Sequence, residues 1–136
     1  MREIKFRCWF DNYMHKVVDI DFSYKRINSF GADIISFKDG VLMQYTGLKD
    51  KNGKEIYEGD IVLYEDWEMA YEGGGNDSFI NKGVIEYVNE NCCFNVTERQ
   101  TIELEDVLYE GNETLEVIGN IYENPELLKE EVWKKI

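Results

Sequence analysis

The chain has 136 residues, of which 43% are hydrophobic and 14% aromatic, and its formal net charge is −13. This length suits one domain with one core, and the apolar and aromatic content excludes an intrinsically disordered chain. No apolar run approaches the roughly 18 residues that a membrane span needs, and the first residues lack a secretory signal. We therefore expect a protein of the cytoplasm that folds alone and does not contact membranes.

The acidic residues are concentrated in one part of the sequence. Residues 1–54 hold ten Lys and Arg against seven Asp and Glu, a balance of +3, whereas residues 55–136 hold five against twenty-one, a balance of −16. A negative field repels the phosphate backbone of nucleic acids and attracts basic surfaces. The acid block, residues 55–136, is therefore interpreted either as a solubilising surface or as a binding surface for a basic protein.

The N-terminal third of the sequence is typical of strands joined by tight turns. Apolar residues occupy every second position from Ile4 to Phe10, and the turn-forming pair Asp11-Asn12 follows. The pair Asp39-Gly40 between two apolar runs predicts a hairpin, because both positions tolerate positive φ. Residues 23–33 leave a short helix and an irregular segment both open. Strands are predicted over residues 4–10, 13–22, 34–37 and 41–45.

The remainder of the sequence predicts further strands around a long loop. Asn52-Gly53 is a turn signal, and Gly59-Asp60 leads into the apolar run Ile61 to Tyr64, a pattern typical of an SH3-like barrel. Residues 65–81, which include Gly73-Gly74-Gly75, are predicted to form a long mobile loop. Residues 100–113 are acidic and only weakly strand-like. Strands are predicted over residues 83–88, 93–97 and 115–122.

The C-terminus carries the pattern of a helix. Asn124 suits the N-cap and Pro125 the first helical position, and apolar residues then recur every four positions at Leu128, Val132 and Ile136. We therefore expect an α+β fold, mostly β: a strand-rich single domain over residues 1–136 with a small SH3-like barrel part and a C-terminal helix. One division that the pattern allows is an N-terminal β-hairpin subdomain over about residues 1–45 and a barrel-like part over about residues 46–136.

The residues that usually carry chemistry do not form a recognisable site. His15 is the single histidine, and Cys8, Cys92 and Cys93 are an odd number without C-x-x-C spacing, so we expect reduced thiols and no zinc. Residues 50–54 fail the calcium-loop pattern because Lys54 stands where an oxygen ligand is needed. Residues 73–75 lack the Lys-Ser/Thr that a phosphate loop requires. We predict no catalytic residue, no metal and no cofactor, and we expect that the protein is not an enzyme.

Three segments resemble the YopX family of phage- and prophage-encoded proteins. They are the opening Met1–Arg7 with Trp9 and Asp11, the central Met43–Val62 and the closing Glu116–Leu128, and they fall in order along most of the chain. The resemblance implies an origin in a phage or prophage of a bacterial host and a strand-dominated mixed fold with a small barrel-like part. It implies no reaction.

The charge distribution motivates the main functional hypothesis. We expect a non-enzymatic interaction module whose acid block binds a basic protein of the host or the phage. Aromatic residues close to carboxylates are suited to anchor such a partner. The candidate partner-binding residues are Trp9, Trp67, Tyr71, Glu65, Asp66, Glu68 and Glu72.

Two alternatives remain open. One is direct binding of nucleic acid through a barrel face with Trp9 nearby, although the net charge opposes it. The basic residues for this role are Arg2, Lys5, Arg7, Lys16, Lys25 and Arg26. An enzyme of unknown type would need a pocket with convergent carboxylates. Strand edges and exposed aromatics also leave a homo-oligomer open.

Overall fold

The computed structural model describes residues 3–31, 33–69, 76–90, 92–96, 115–129 and 134–135, with the backbone alone for 66–69, 76–79 and 134–135. These residues form eleven β-strands and one short 3₁₀ helix. The strands are β1 Phe6–Phe10, β2 Tyr13–Asp21, β3 Arg26–Ser29, β4 Ile34–Ser36, β5 Val41–Lys49, β6 Glu55–Tyr57, β7 Asp60–Met69, β8 Asn76–Val88, β9 Cys93–Val96, β10 Glu116–Asn120 and β11 Lys134–Lys135, and the 3₁₀ helix is Pro125–Leu128.

The strands make two antiparallel sheets. The six-stranded sheet has the order β4-β3-β2-β1-β5-β6, and the five-stranded sheet has the order β10-β7-β8-β11 with β9 also paired to β8. Asp11 and Asn12 have φ of 50° and 64°, so the predicted turn between β1 and β2 is confirmed with both central residues in the left-handed region.

No helix among the described residues is long and apolar enough to cross a lipid bilayer.

Two clusters of buried side chains stabilise these sheets. One lies within the six-stranded sheet and contains Cys8, Ile27 and Ile35. The other joins the sheets, because Ile56 of β6 packs with residues of β7, β8, β9 and β10. The members of this second cluster are Ile56, Val62, Tyr64, Ile85, Val96, Leu115 and Val117. Apolar side chains of the two sheets therefore pack against each other in this second cluster.

Asp50 fastens the turn after β5 to the strand β10. Its Oδ1 accepts hydrogen bonds from the backbone N–H groups of Asn52 and Lys54, at 2.8 and 2.9 Å, and its Oδ2 accepts one from Val117 at 3.0 Å. Burial acts to raise the pKa of Asp50, but these three donors outweigh it and hold the pKa below its ordinary value. The carboxylate at the start of the Asn52-Gly53 turn is therefore a structural acceptor.

The predicted α+β class with a C-terminal helix is wrong, because the described chain is all-β. Asn124 makes no side-chain cap, since its Oδ1 accepts the N–H of Asn120, the last residue of β10. The 3₁₀ helix buries none of its residues, and Leu128 is 47% exposed, so tertiary packing does not stabilise a longer helix at this described turn. Lys134–Lys135 instead pairs with β8. The two antiparallel sheets also take the place of the predicted SH3-like barrel part.

Two further segments differ from their predictions. The predicted loop over residues 65–81 is largely strand, because β7 and β8 pair from Ile61 opposite Val84 to Met69 opposite Asn76. Residues 23–33, left open between a short helix and an irregular segment, contain the strand β3. The glycine run 73–75 and residues 100–113 lie outside the described residues, and the division of the chain near residue 45 stays a prediction.

A comparison of Gly59 with Gly53 distinguishes the energetic cost of a left-handed backbone conformation from the cost of steric crowding around a side chain. Both have φ near +80°, but a β-carbon at Gly59 would lie 3.2 Å from Met43 Sδ, whereas one at Gly53 would meet nothing within 4 Å. We expect Gly53→Ala to lower the free energy of unfolding by about 1 kcal/mol and Gly59→Ala by about 2 to 3 kcal/mol. Urea unfolding of both variants measures this difference. Equal losses would contradict close packing at Gly59.

Candidate functional site

The turn Glu58-Gly59 between β6 and β7 is hydrogen-bonded to both sheets. The N–H of Glu58 donates to the carbonyl of Gln44 in β5 at 3.0 Å, and the N–H of Gly59 donates to the carbonyl of Ile85 in β8 at 2.8 Å. The carbonyl of Gly59 accepts the N–H of Ile121, just after β10, at 2.9 Å. Backbone groups of this turn therefore join β5, β8 and the end of β10.

A buried ion pair holds the turn in place. Arg7 Nη2 donates to Asp60 Oδ1 at 2.7 Å and to the carbonyl of Glu58 at 3.2 Å. Asp60 Oδ2 accepts the N–H of Tyr57 at 2.7 Å, and the guanidinium of Arg7 lies 4.7 Å from the centroid of the Tyr57 ring. Asp60 is only 1% exposed; burial raises the pKa of its carboxyl, and the Arg7 guanidinium opposes that rise. Arg7 thus supplies the counter-charge without which a carboxylate would be poorly tolerated here.

Beside the turn lies a groove of about 290 Å³ between the two sheets. Its walls come from β5, from the Glu58-Gly59 turn, from β8 and from the residues after β10. The lining residues are Val41, Leu42, Met43, Glu58, Gly59, Val84, Ile85, Glu86, Tyr87, Ile121 and Tyr122. Gly59 leaves this space open, because a side chain at its position would enter toward Met43, Tyr122 and Ile121. The groove lies next to the turn, in the space between β5 and β8.

The groove combines apolar walls with negative charge. Glu58 and Glu86 are the charged residues of its lining, and the lining holds no lysine, arginine or histidine. Trp9 stacks on Tyr122 at the groove with ring centroids 5.9 Å apart and planes at 24°. Tyr87 is 46% exposed and packs edge-on against Phe94. Such a surface can hold apolar side chains and attract a cationic one, because its lining is mostly apolar and both of its charged residues are acidic.

The structure places the predicted partner-binding residues in different parts of the chain. Trp9 contacts the groove through Tyr122, whereas Glu65 is half-buried in β7 and does not line it. The backbone of Asp66, Trp67 and Glu68 belongs to β7 beyond the groove. Tyr71 and Glu72 lie outside the described residues. A partner-binding role for all of these residues, Trp9 included, therefore stays a prediction.

Sequence reasoning missed Glu58, Glu86, Tyr87 and Tyr122 as members of one site. The pattern Gly59-Asp60 predicts the entry to a strand, and β7 does begin at Asp60, but the pattern does not show what the turn contacts. The signal lay in the two longest motifs, Met43–Val62 and Glu116–Leu128, because both contribute lining residues to the same groove. Residues distant in sequence that meet at one groove cannot be paired from local patterns.

Several of the basic residues proposed for nucleic-acid binding have other partners. Lys5 forms ion pairs with Glu55 and with Glu3, and Arg7 is paired with Asp60. Two others lie over aromatic rings, Lys16 over Phe30 and Arg26 over Tyr24, and Arg2 lies outside the described residues. The pairs of Lys5 and Arg7 reduce the positive charge that these two residues offer to a phosphate backbone.

Within the part of the chain that the structure describes, no group of three or more His, Cys, Asp or Glu could hold a metal ion.

The fold and the groove define an all-β protein of two antiparallel sheets joined at a hydrogen-bonded turn. A crystal structure of protein EF1440 from Enterococcus faecalis is similar to this chain, with 32% sequence identity and a TM-score of 0.61, over 94% of this chain and 99% of that one. The family model described as YopX protein matches residues 5–129, so the chain belongs to the YopX family. No curated protein matches the chain. Neither description names an activity.

The ion pair can be tested by removing its cation. We expect Arg7→Met to lower the free energy of unfolding by about 3 kcal/mol, because it leaves Asp60 buried without a counter-charge. Burial already raises the pKa of Asp60, so the folded protein favours protonated Asp60 once Arg7 is gone. A raised pKa contributes stability that is fully present below the pKa of Asp in the unfolded chain, about 3.9. That stability is lost as pH rises through the pKa of Asp60 in the folded protein. The deficit of Arg7→Met should therefore shrink as pH falls from about 7 toward 5.

Urea unfolding at the two pH values provides the measurement for this pair. Lys38→Met is the control, since Lys38 is exposed and the substitution removes the same charge. The double variant Arg7→Met/Asp60→Asn should be more stable than the sum of the two single losses predicts, because neither charge is left unpaired. Additive losses, or a deficit that does not depend on pH, would show that the pair is not coupled.

Proposed function

We propose that this chain is a non-enzymatic interaction module, encoded by a phage or prophage, that binds a basic segment of a host or phage protein in the groove between its two sheets. The observation that carries the proposal is the composition of that groove, whose charged lining residues, Glu58 and Glu86, are both acidic. They are set among apolar and aromatic side chains. An arginine or lysine with an apolar neighbour fits this combination of surfaces.

The charge of the whole molecule supports a basic partner. The acid block carries a balance of −16 and the whole chain −13. Such a field raises the rate at which a basic protein encounters the surface and disfavours acidic competitors. Long-range attraction alone does not fix the orientation of the bound partner. The field increases the rate of association, and contacts in the groove fix the orientation.

The aromatic residues at the groove provide anchoring area. Trp9 and Tyr122 stack on each other, and Tyr87 stands at the rim with nearly half of its surface exposed. Tyr and Trp contribute large contact areas at small entropic cost and are enriched among residues that dominate binding energy. A cationic side chain placed over one of these rings also gains from the ring quadrupole. The proposed partner therefore presents a basic residue next to an apolar one.

The proposal can be tested with a defined probe, a fluorescein-labelled ten-residue peptide in which arginine alternates with valine. We expect the peptide to bind with micromolar affinity at low salt and more weakly as salt rises, because the contacts are partly electrostatic. A peptide with glutamate in place of arginine should not bind. Fluorescence anisotropy measures both titrations.

Two charge-reversal variants locate the binding on the surface. Glu86→Lys, in the groove, should weaken binding of the arginine–valine peptide at least about tenfold, the equivalent of one repulsive contact. Glu90→Lys changes the net charge equally, but Glu90 is exposed at the end of β8 and does not line the groove, so it should change binding by less than about threefold. Equal effects of the two variants, or no binding by the parent protein, would contradict the proposed function.

A further inference from the structure

The gap between β5 and β8 beside the groove has the width of one polypeptide chain. Glu58 and Gly59 are consecutive residues, and they donate in opposite directions, to Gln44 of β5 at 3.0 Å and to Ile85 of β8 at 2.8 Å. A single chain therefore already spans the distance between the two strands with hydrogen bonds on both sides. Beyond Glu58 and Gly59 this chain turns away, and the groove begins.

The backbone of Leu42 faces the groove side of β5. Tyr45 donates its N–H to the carbonyl of Lys5, the residue just before β1, and alternate residues of an antiparallel pair face the same partner. The backbone of Gln44 faces away from β1, because its carbonyl accepts the N–H of Glu58 at 3.0 Å and its N–H donates to the carboxylate Oε1 of Glu58 at 2.8 Å. Leu42, two residues before Gln44, has the same orientation. Among the described strands, none pairs with this edge of β5 at Leu42.

The backbone of Tyr87 presents an equivalent edge on β8. The carbonyl of Ile85 points to the side of β7, where it accepts the N–H of Gly59. Tyr87 is two residues further along β8 and therefore points to the same side. β7 begins at Asp60, which lies opposite Ile85 in the register that pairs Ile61 with Val84, so it does not reach Tyr87. The described part of the chain provides no strand next to Tyr87 on that side.

We propose that the occupant of the groove is an extended peptide segment that inserts as a β-strand between β5 and β8, in line with Glu58-Gly59. Its backbone hydrogen-bonds to Leu42 on one side and to Tyr87 on the other. This inference rests on the proposed function and adds the binding mode to it. Strand addition gives affinity through the main chain, while alternate side chains reach the apolar walls and the carboxylates of Glu58 and Glu86.

Backbone methylation of the probe distinguishes strand insertion from charge attraction. The probe is the ten-residue peptide of alternating arginine and valine. Two modified versions carry backbone N-methyl groups on alternate central residues, one on the odd and one on the even positions, so that both binding registers are covered. N-methylation removes backbone donors but keeps every side chain and charge. Strand insertion predicts that both lose at least about tenfold in affinity, because one strand edge loses its donors in each case.

Amide hydrogen exchange followed by NMR provides the second measurement. Binding of the unmodified peptide should slow exchange at Leu42 and Tyr87 at least about tenfold, while Met43, which already faces β1, should change little. Peptide binding that is insensitive to methylation and leaves Leu42 and Tyr87 unprotected would overturn strand insertion and leave the proposed function standing. Failure of the unmodified peptide to bind would overturn both.

Discussion

A carboxylate without contact to water must be matched by a cation, and this requirement governs how the two sheets meet. Asp60 is the first residue of β7 and belongs to the five-stranded sheet, whereas Arg7 lies in β1 of the six-stranded sheet. Their ion pair therefore fixes one sheet to the other at the start of β7, beside the links made by the Ile56 cluster and by Asp50. Because a buried charge tolerates little displacement from its partner, the position of the preceding residues Glu58 and Gly59 is set as well.

The groove follows from this arrangement. Once the turn is held, its backbone bonds to Gln44, Ile85 and Ile121 bring β5, β8 and the end of β10 to defined distances. Gly59 contributes no side chain, so the space next to it stays open. The same contacts that stabilise the junction of the sheets thus produce an apolar recess with two carboxylates and two strand edges. Function in this account depends on the junction of the sheets and requires no catalytic group.

Local patterns predicted those parts of the fold that are determined by local physics. Alternation identified β1, and turn chemistry identified Asp11-Asn12, since positive φ is tolerated by few residue types. The hairpin predicted at Asp39-Gly40 is wrong, because β4 pairs with β3 whereas β5 pairs with β1 and β6. The helix prediction failed because the cap residue Asn124 uses its side chain on Asn120 and because Leu128, the described residue of the apolar stripe, is exposed. Periodicity describes a helix that could form, but tertiary contacts decide whether it does.

The groove itself was not predictable from the sequence. Arg7 and Asp60 are separated by 53 positions, and nothing in either neighbourhood indicates the other. The long motifs shared with the YopX family contain most of the residues at the junction, yet a motif does not reveal which of its residues touch. Knowledge of strand order was needed to bring Met43, Glu86 and Tyr122 together.

The most direct test of the account is amide hydrogen exchange at the junction in the free protein. If the turn joins the two sheets, the amides of Gly59 and Ile121 exchange only through global unfolding, with a protection free energy equal to the free energy of unfolding from denaturant titration. Cys92, whose N–H makes a 3.3 Å turn bond to Asn89 at the exposed end of the β8–β9 hairpin, should exchange much faster and serves as the internal reference. Exchange at Gly59 and Ile121 as fast as at Cys92 would contradict the central role of the turn.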